Sequence, residues 1–170
     1  MTKDELRKKI LEQRKTINIE VISGQIVNNI RELNAYKSSK NVMIYYPMKF
    51  EINLLNLLKD NKNFYLPKID GNNLLVCPFV ETNKLEMSSF NTKEPKTEPV
   101  DADEIDLAFI PALCVDEDNY RLGYGKGFFD RFLKDFSGVS IVPVSEQFVL
   151  KEIPREKHDQ PVDVVITENY

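Results

Sequence analysis

Apolar positions along the chain follow two periods, and the changes of period mark the elements. Leu6, Ile10 and Leu11 form a stripe at helical spacing. They follow Thr2 and Glu5, which have the spacing of a capping box, so a helix is predicted to begin here. Ile19, Ile22, Ile26, Ile30 and Leu33 step by three and four and predict a second helix, weakened slightly by Gly24. Residues 42–46 are β-branched and aromatic and stop at Pro47, the pattern of a strand. A short helix over 54–58, a short strand over 64–66 ahead of Pro67, and a strand over 74–80 follow. The apolar run 105–110 reads as a buried strand. A turn-rich stretch leads to a helix near 128–136, and strands over 139–144 and 162–166 complete the pattern.

Strands and helices alternate, and the later strands are continuous apolar runs, as expected when both faces are covered. The prediction is an α/β fold: one domain over 1–170, a three-layer sandwich with an open, largely parallel sheet and helices on both faces. In such folds ligands sit beyond the carboxyl ends of the strands, which directs attention to the loops after 42–46 and 105–110. Residues 81–104, polar and carrying Pro95 and Pro99, read as a long loop with short elements, and long loops are often functional.

The charge balance, 23 basic against 27 acidic residues, argues against a nucleic-acid partner, because neutralising phosphates needs a basic face. A small anionic ligand needs only a few local cations. No apolar run approaches the ~20 residues of a membrane span, and the charged N-terminal segment lacks the apolar core of a secretory signal. Cys77 and Cys114 read as reduced, buried thiols of a cytoplasmic protein. With one histidine, His158, and no CxxC spacing, a zinc site is not expected. The expected state is a monomer acting on a small molecule.

Half of the six glycines fall at 123, 125 and 127, within Arg121-Leu-Gly-Tyr-Gly-Lys-Gly-Phe-Phe-Asp-Arg131. Alternating glycines let backbone N–H groups approach an anion, and the helix that follows offers its N-terminus to the same anion. Arg121 and Lys126 add charge, and Asp130 could hold magnesium. The segment is neither a Walker A loop nor a dinucleotide fingerprint, since Gly127 follows Lys126 and Phe128 stands where a third glycine is needed. Lys3, Arg7 and Arg14 share one helix face and read as idle surface cations unless that face meets the glycine loop. In the loop after 42–46, Met48 could pack on a flat ring. Glu51 could accept donors of a heterocycle or cap a helix starting at 52. Asp163 is either a metal ligand or a solvent-facing strand end. The acidic stretch 101–106 reads as a solvated loop, and Asp116, Glu117 and Asp118 lack the EF-hand alternation. His158-Asp159 reads as a polar turn in preference to a site edge. No nucleophile–base pair stands out.

Pro111-Ala-Leu-Cys-Val-Asp116 followed by Arg121 to Leu133 resembles the signature of the 5-formyltetrahydrofolate cyclo-ligase (5,10-methenyltetrahydrofolate synthetase) family. The resemblance extends to Lys3/Arg7/Arg14, Pro47-x-x-x-Glu51, Glu94-Pro95, Glu146-Gln147, Ile153-Pro154, His158-Asp159 and Val162-Asp163. It implies an ATP- and magnesium-dependent cyclisation of 5-formyltetrahydrofolate to 5,10-methenyltetrahydrofolate with release of ADP and phosphate. It implies that ATP is held by Lys3, Asp4, Glu5, Leu6 and Arg7 together with Arg121, Leu122, Gly123, Tyr124, Gly125, Lys126, Gly127, Phe128 and Phe129. Met48, Glu51 and the segment from Tyr124 to Phe128 would border the folate, and Asp130 and Asp163 would bind Mg2+. Arg121, Lys126 and Asp130 would carry catalysis. The chain departs from the family at Asn53 and Leu54, where an acidic or polar residue and Thr are common, and at Phe128-Phe129, where Tyr is common. The alternatives are a non-catalytic nucleotide- or folate-binding protein on the same fold and a phosphosugar isomerase or acyl-transfer relative.

Overall fold

Alternate residues of the central strands enter two separate apolar layers, and this alternation sets the architecture. In the computed structural model, which describes residues 1–89 and 92–170, Val42, Leu107, Phe109 and Ile141 face one layer. Met43, Ala108, Ile110 and Val142 face the other. The strands are β1 (Asn41–Met43), β2 (Asn63–Asp70), β3 (Asn73–Pro78), β4 (Leu85–Met87), β5 (Lys93–Pro95) and β6 (Leu107–Phe109). They continue with β7 (Cys114–Asp116), β8 (Arg121–Leu122), β9 (Val139–Pro143), β10 (Val149–Leu150) and β11 (Val164–Ile166). The helices are α1 (Lys3–Arg14), α2 (Ile19–Glu32), α3 (Asn34–Ser38) and α4 (Phe128–Asp135).

Six strands form the main sheet in the order β11-β9-β6-β1-β2-β3, parallel except for the β2–β3 hairpin at one edge. Ile26, Val27 and Ile30 of α2 and Tyr36 of α3 fill the first layer. Leu6 and Ile10 of α1 fill the second, with Phe129, Phe132 and Leu133 of α4 packed against it. Helices therefore cover both faces, as the alternation of elements predicts. A smaller sheet, β10-β7-β8, leans on the second layer and carries the glycine segment out of β8 into α4.

The capping box of α1 is formed: the Thr2 hydroxyl accepts from the Glu5 amide and the Glu5 carboxylate accepts from the Thr2 amide. The predicted strand over 64–66 instead runs through Pro67 to Asp70. The strand register explains the tolerance. The Ile69 amide, of the same parity as position 67, points away from β3 to the Glu94 carboxylate. At that point β1 has ended, so the missing N–H of Pro67 breaks no ladder bond. The predicted helix over 54–58 is a 3-10 turn, Leu55–Lys59. The strands predicted over 42–46, 74–80, 105–110 and 162–166 are shorter at their ends. The loop predicted over 81–104 contains β4, β5 and two 3-10 turns; its residues 90 and 91 lie outside the described residues. Four elements carry no strong periodic signal and were not predicted: α3, β7, β8 and β10. Among the described residues no helix is long and apolar enough to cross a membrane.

Gly138 closes the turn between α4 and β9 against the backbone of the segment that enters β6. A Cβ there would stand 2.7 Å from the Asp106 carbonyl oxygen and 2.8 Å from that of Ile105. Backbone cannot yield as a flexible side chain can. Gly138→Ala is expected to lower stability by about 1–3 kcal/mol, read as a lower urea midpoint with an unchanged m-value.

Candidate active site

The carboxyl ends of β1 and β6 open under a cavity of about 720 Å³, within the range of small-molecule sites. Further segments complete it: the first two turns of α1, Pro67 and Ile69 of β2, Thr92 to Glu94, the segment from β8 into α4, and the tail segment 154–159. From the predicted residues it brings together Lys3, Asp4 and Arg7 of α1, Met48 and Glu51 after β1, and every residue from Arg121 to Asp130.

The glycine loop has its shape for steric reasons. Gly125 and Gly127 sit at φ +102° and +73°, conformations that L side chains rarely adopt. A Cβ on Gly123 would stand 2.5 Å from Nη2 of Arg121. One on Gly125 would stand 3.4 Å from Cζ of Arg7. Two guanidinium groups therefore lie directly against the loop backbone. Arg7 Nε donates to the Gly123 carbonyl at 2.8 Å. Arg121 is 8% exposed; its Nε donates to the Pro111 carbonyl at 2.9 Å, and its Nη1 stands 3.5 Å from Oδ1 of Asp130. Burial pulls the Arg121 pKa down, while the negative charges of Asp130, Asp159 and Glu51 push it back up. The face shared by Lys3, Arg7 and Arg14 thus meets the glycine loop, and these cations are not idle: Arg14 Nη1 lies 3.4 Å from the Tyr124 hydroxyl.

On the opposite wall Glu51 is 5% exposed. It is delivered by a tight loop in which Phe50 takes a left-handed conformation, φ 66°. Its Oε1 accepts from the Met48 amide at 2.6 Å. No helix starts at 52, so the capping alternative for Glu51 is not what the structure shows. Burial raises the Glu51 pKa, against the Met48 hydrogen bond and the positive charges of Arg14 and Arg121.

Three of the predicted residues lie elsewhere. The Glu5 side chain is spent on the capping box, and Leu6 is buried in the core. Asp163 is exposed at the amino end of β11, where its Oδ2 accepts from the Ser140 amide at 2.9 Å and the Ser140 hydroxyl at 3.2 Å. In a parallel sheet the residue that enters a strand lies at the end opposite to that over which the cavity opens, so Asp163 and Asp130 are not brought together. His158-Asp159, read as a polar turn, is a turn and also a cavity wall. Asp159 accepts from Lys3 Nζ with both oxygens, at 3.0 and 2.7 Å. Burial raises the Asp159 pKa, but Lys3 and the Glu156 amide more than offset this and hold it below the ordinary range. Among the described residues no three carboxylate, imidazole or thiolate groups converge as a metal cage.

Tyr45, Tyr46, Ile69, Thr92 and Arg155 also line the cavity, and no motif marks them in the sequence. Glu94, of the Glu94-Pro95 pair, is a buried carboxylate of the wall that accepts from the Ile69 amide at 2.8 Å.

The pKa of Glu51 has a consequence for stability. The native state holds this proton more tightly than the unfolded chain, so stability falls as pH rises from the ordinary carboxyl value through the raised one. Glu51→Gln keeps an acceptor for the Met48 amide and cannot ionise. The variant is expected to have the higher urea midpoint at about pH 8, with the difference shrinking towards about pH 4.

Comparison with known proteins identifies the family of the chain. The family model of the 5-formyltetrahydrofolate cyclo-ligase family matches residues 1–168. The solved structure of Aquifex aeolicus 5,10-methenyltetrahydrofolate synthetase superposes with a TM-score of 0.89 at 34% identity, covering 100% of this chain and 91% of that one. The 5-formyltetrahydrofolate cyclo-ligase of Mycolicibacterium smegmatis is 29% identical over 98% of this chain and 93% of its own length. The probable 5-formyltetrahydrofolate cyclo-ligase of Schizosaccharomyces pombe is 27% identical over 85% and 83%. A family match over nearly the whole length, on a chain whose glycine loop, cations and buried glutamate share one cavity, makes this protein a member of the 5-formyltetrahydrofolate cyclo-ligase family.

Proposed function

We propose that this cyclo-ligase converts 5-formyltetrahydrofolate and ATP into 5,10-methenyltetrahydrofolate, ADP and phosphate in the cavity over the carboxyl ends of β1 and β6. The observation that carries the reading is the meeting of a left-handed glycine loop and two guanidinium groups with a buried glutamate across one cavity. The loop and the cations suit a triphosphate, and the glutamate suits the N–H donors of a pterin.

A formamide carbon is a poor electrophile because nitrogen donates into its carbonyl. In the proposed sequence the formyl oxygen attacks the γ-phosphorus and ADP leaves with the bridging electron pair. The formyl group becomes an iminium phosphate. N10 of the same folate then attacks the formyl carbon, phosphate departs with the C–O electron pair, and the N10 proton is released. Both nucleophiles belong to the substrate, so the sequence of steps asks for no nucleophile from the protein.

The chain's own part is positioning and charge stabilisation. Arg7, Arg121 and Lys126, with the loop amides, would balance charge on the phosphoryl group in transfer. Magnesium, when bound, would screen the phosphate oxygens. The residues fit it in the way usual for that ion, one or two carboxylates plus substrate phosphates rather than an all-protein cage. Asp130 and Asp159 are, with Glu51, the carboxylates lining the cavity that act on Arg121, and they are the two proposed to face the ion. Asp163 is not placed to join them.

Product formation is followed by the near-ultraviolet absorbance of the methenyl compound on mixing protein, Mg2+, ATP and 5-formyltetrahydrofolate. Absorbance that fails to rise, or that rises equally without ATP, overturns the reading. Asp130→Asn is expected to cut turnover by about a hundredfold or more with an unchanged circular dichroism spectrum. Gly125→Val puts a β-branched side chain at φ +102° against Arg7. ATP binding by calorimetry is expected to weaken at least about tenfold, or about 1.4 kcal/mol.

A further inference from the structure

Arg14 is 3% exposed, and no carboxylate among the described residues lies within ion-pair distance of it. Its Nη2 donates to the main-chain oxygens of Ala112 and Leu113, just past β6, and its Nη1 lies 3.4 Å from the Tyr124 hydroxyl. Its Cζ stands 6.0 Å over the Phe148 ring. Burying a cation without a counter-charge costs several kcal/mol, an arrangement a purely structural contact does not require. The last turn of α1 thereby places a full positive charge beneath the cavity. Above it stands Tyr124, anchored at its hydroxyl, with 38% of the residue open to solvent at the cavity wall.

We propose that Arg14 is a positioning residue: it fixes the Tyr124 ring by its hydroxyl, so that this part of the folate-binding wall is set before ligand arrives. The substrate in this statement rests on the function proposed above; the positioning does not. Arg14 would act through Tyr124, since it does not itself line the cavity.

Two readouts test the proposal on the full chain. The first is ligand-free: the protein is labelled with 3-fluorotyrosine, and Tyr124→Phe assigns one of the seven tyrosine resonances. Arg14→Met is expected to move or broaden the Tyr124 resonance and leave most others in place. Arg14→Lys, which keeps a donor and a charge, is expected to shift it less, and it serves alone if the Met variant does not fold. The second is kinetic. Arg14→Met and Tyr124→Phe are each expected to raise the KM for 5-formyltetrahydrofolate by about tenfold while moving the KM for ATP less than about threefold. The double variant is expected to be no worse than the more impaired single one. An unmoved Tyr124 resonance overturns the proposal whatever the kinetics show, as do additive single effects or equal effects on both substrates. A wild-type protein that makes no product overturns the functional reading alone, and the resonance then decides the role of Arg14.

Discussion

The site depends on the close approach of arginine side chains to a backbone stripped of Cβ atoms. Arg7 crosses from α1 to the Gly123 carbonyl, and Arg121 folds under Gly123 to the Pro111 carbonyl. Any side chain at 123 would occupy the space of the Arg121 guanidinium. The loop can therefore be both tight and cationic, a combination that few residue types allow. Elements remote in sequence are drawn into one place by these contacts, since the Arg7–Gly123 bond spans 116 positions.

The second consequence is electrostatic. Arg14 and Arg121 are buried, and the carboxyl groups that act on Arg121 line the same cavity. One of these, Glu51, is held closer to neutrality by burial, and another, Asp159, is held ionised by Lys3. Carboxyl groups of one cavity thus differ in their readiness to carry charge. That division suits one region for neutral hydrogen-bonding groups and another for a polyanion. The chemistry proposed for the cavity needs no nucleophile from the protein.

The scaffold explains how such an arrangement is held. The parallel sheet gathers the ends of β1 and β6 at one edge, and the small β10-β7-β8 sheet carries the glycine loop to the same edge. Asp116, buried at the end of β7, accepts from the Tyr120 and Ile153 amides and from Arg155. It thereby ties the tail segment 153–159, with Asp159, to the hairpin that starts the loop.

The helices at both faces, the parallel core strands and the glycine loop were legible in the chain itself, because periodicity and side-chain size are local properties. So was the pairing of Thr2 with Glu5, three positions apart. Only the tertiary structure decided that Arg14 is buried rather than solvated, that Pro67 sits within a strand, and that His158-Asp159 belongs to the cavity while Asp163 does not. Each of these turns on which strand end or helix face meets a distant segment. Such a meeting is set by the packing of two apolar layers and leaves no periodic trace around the residue concerned.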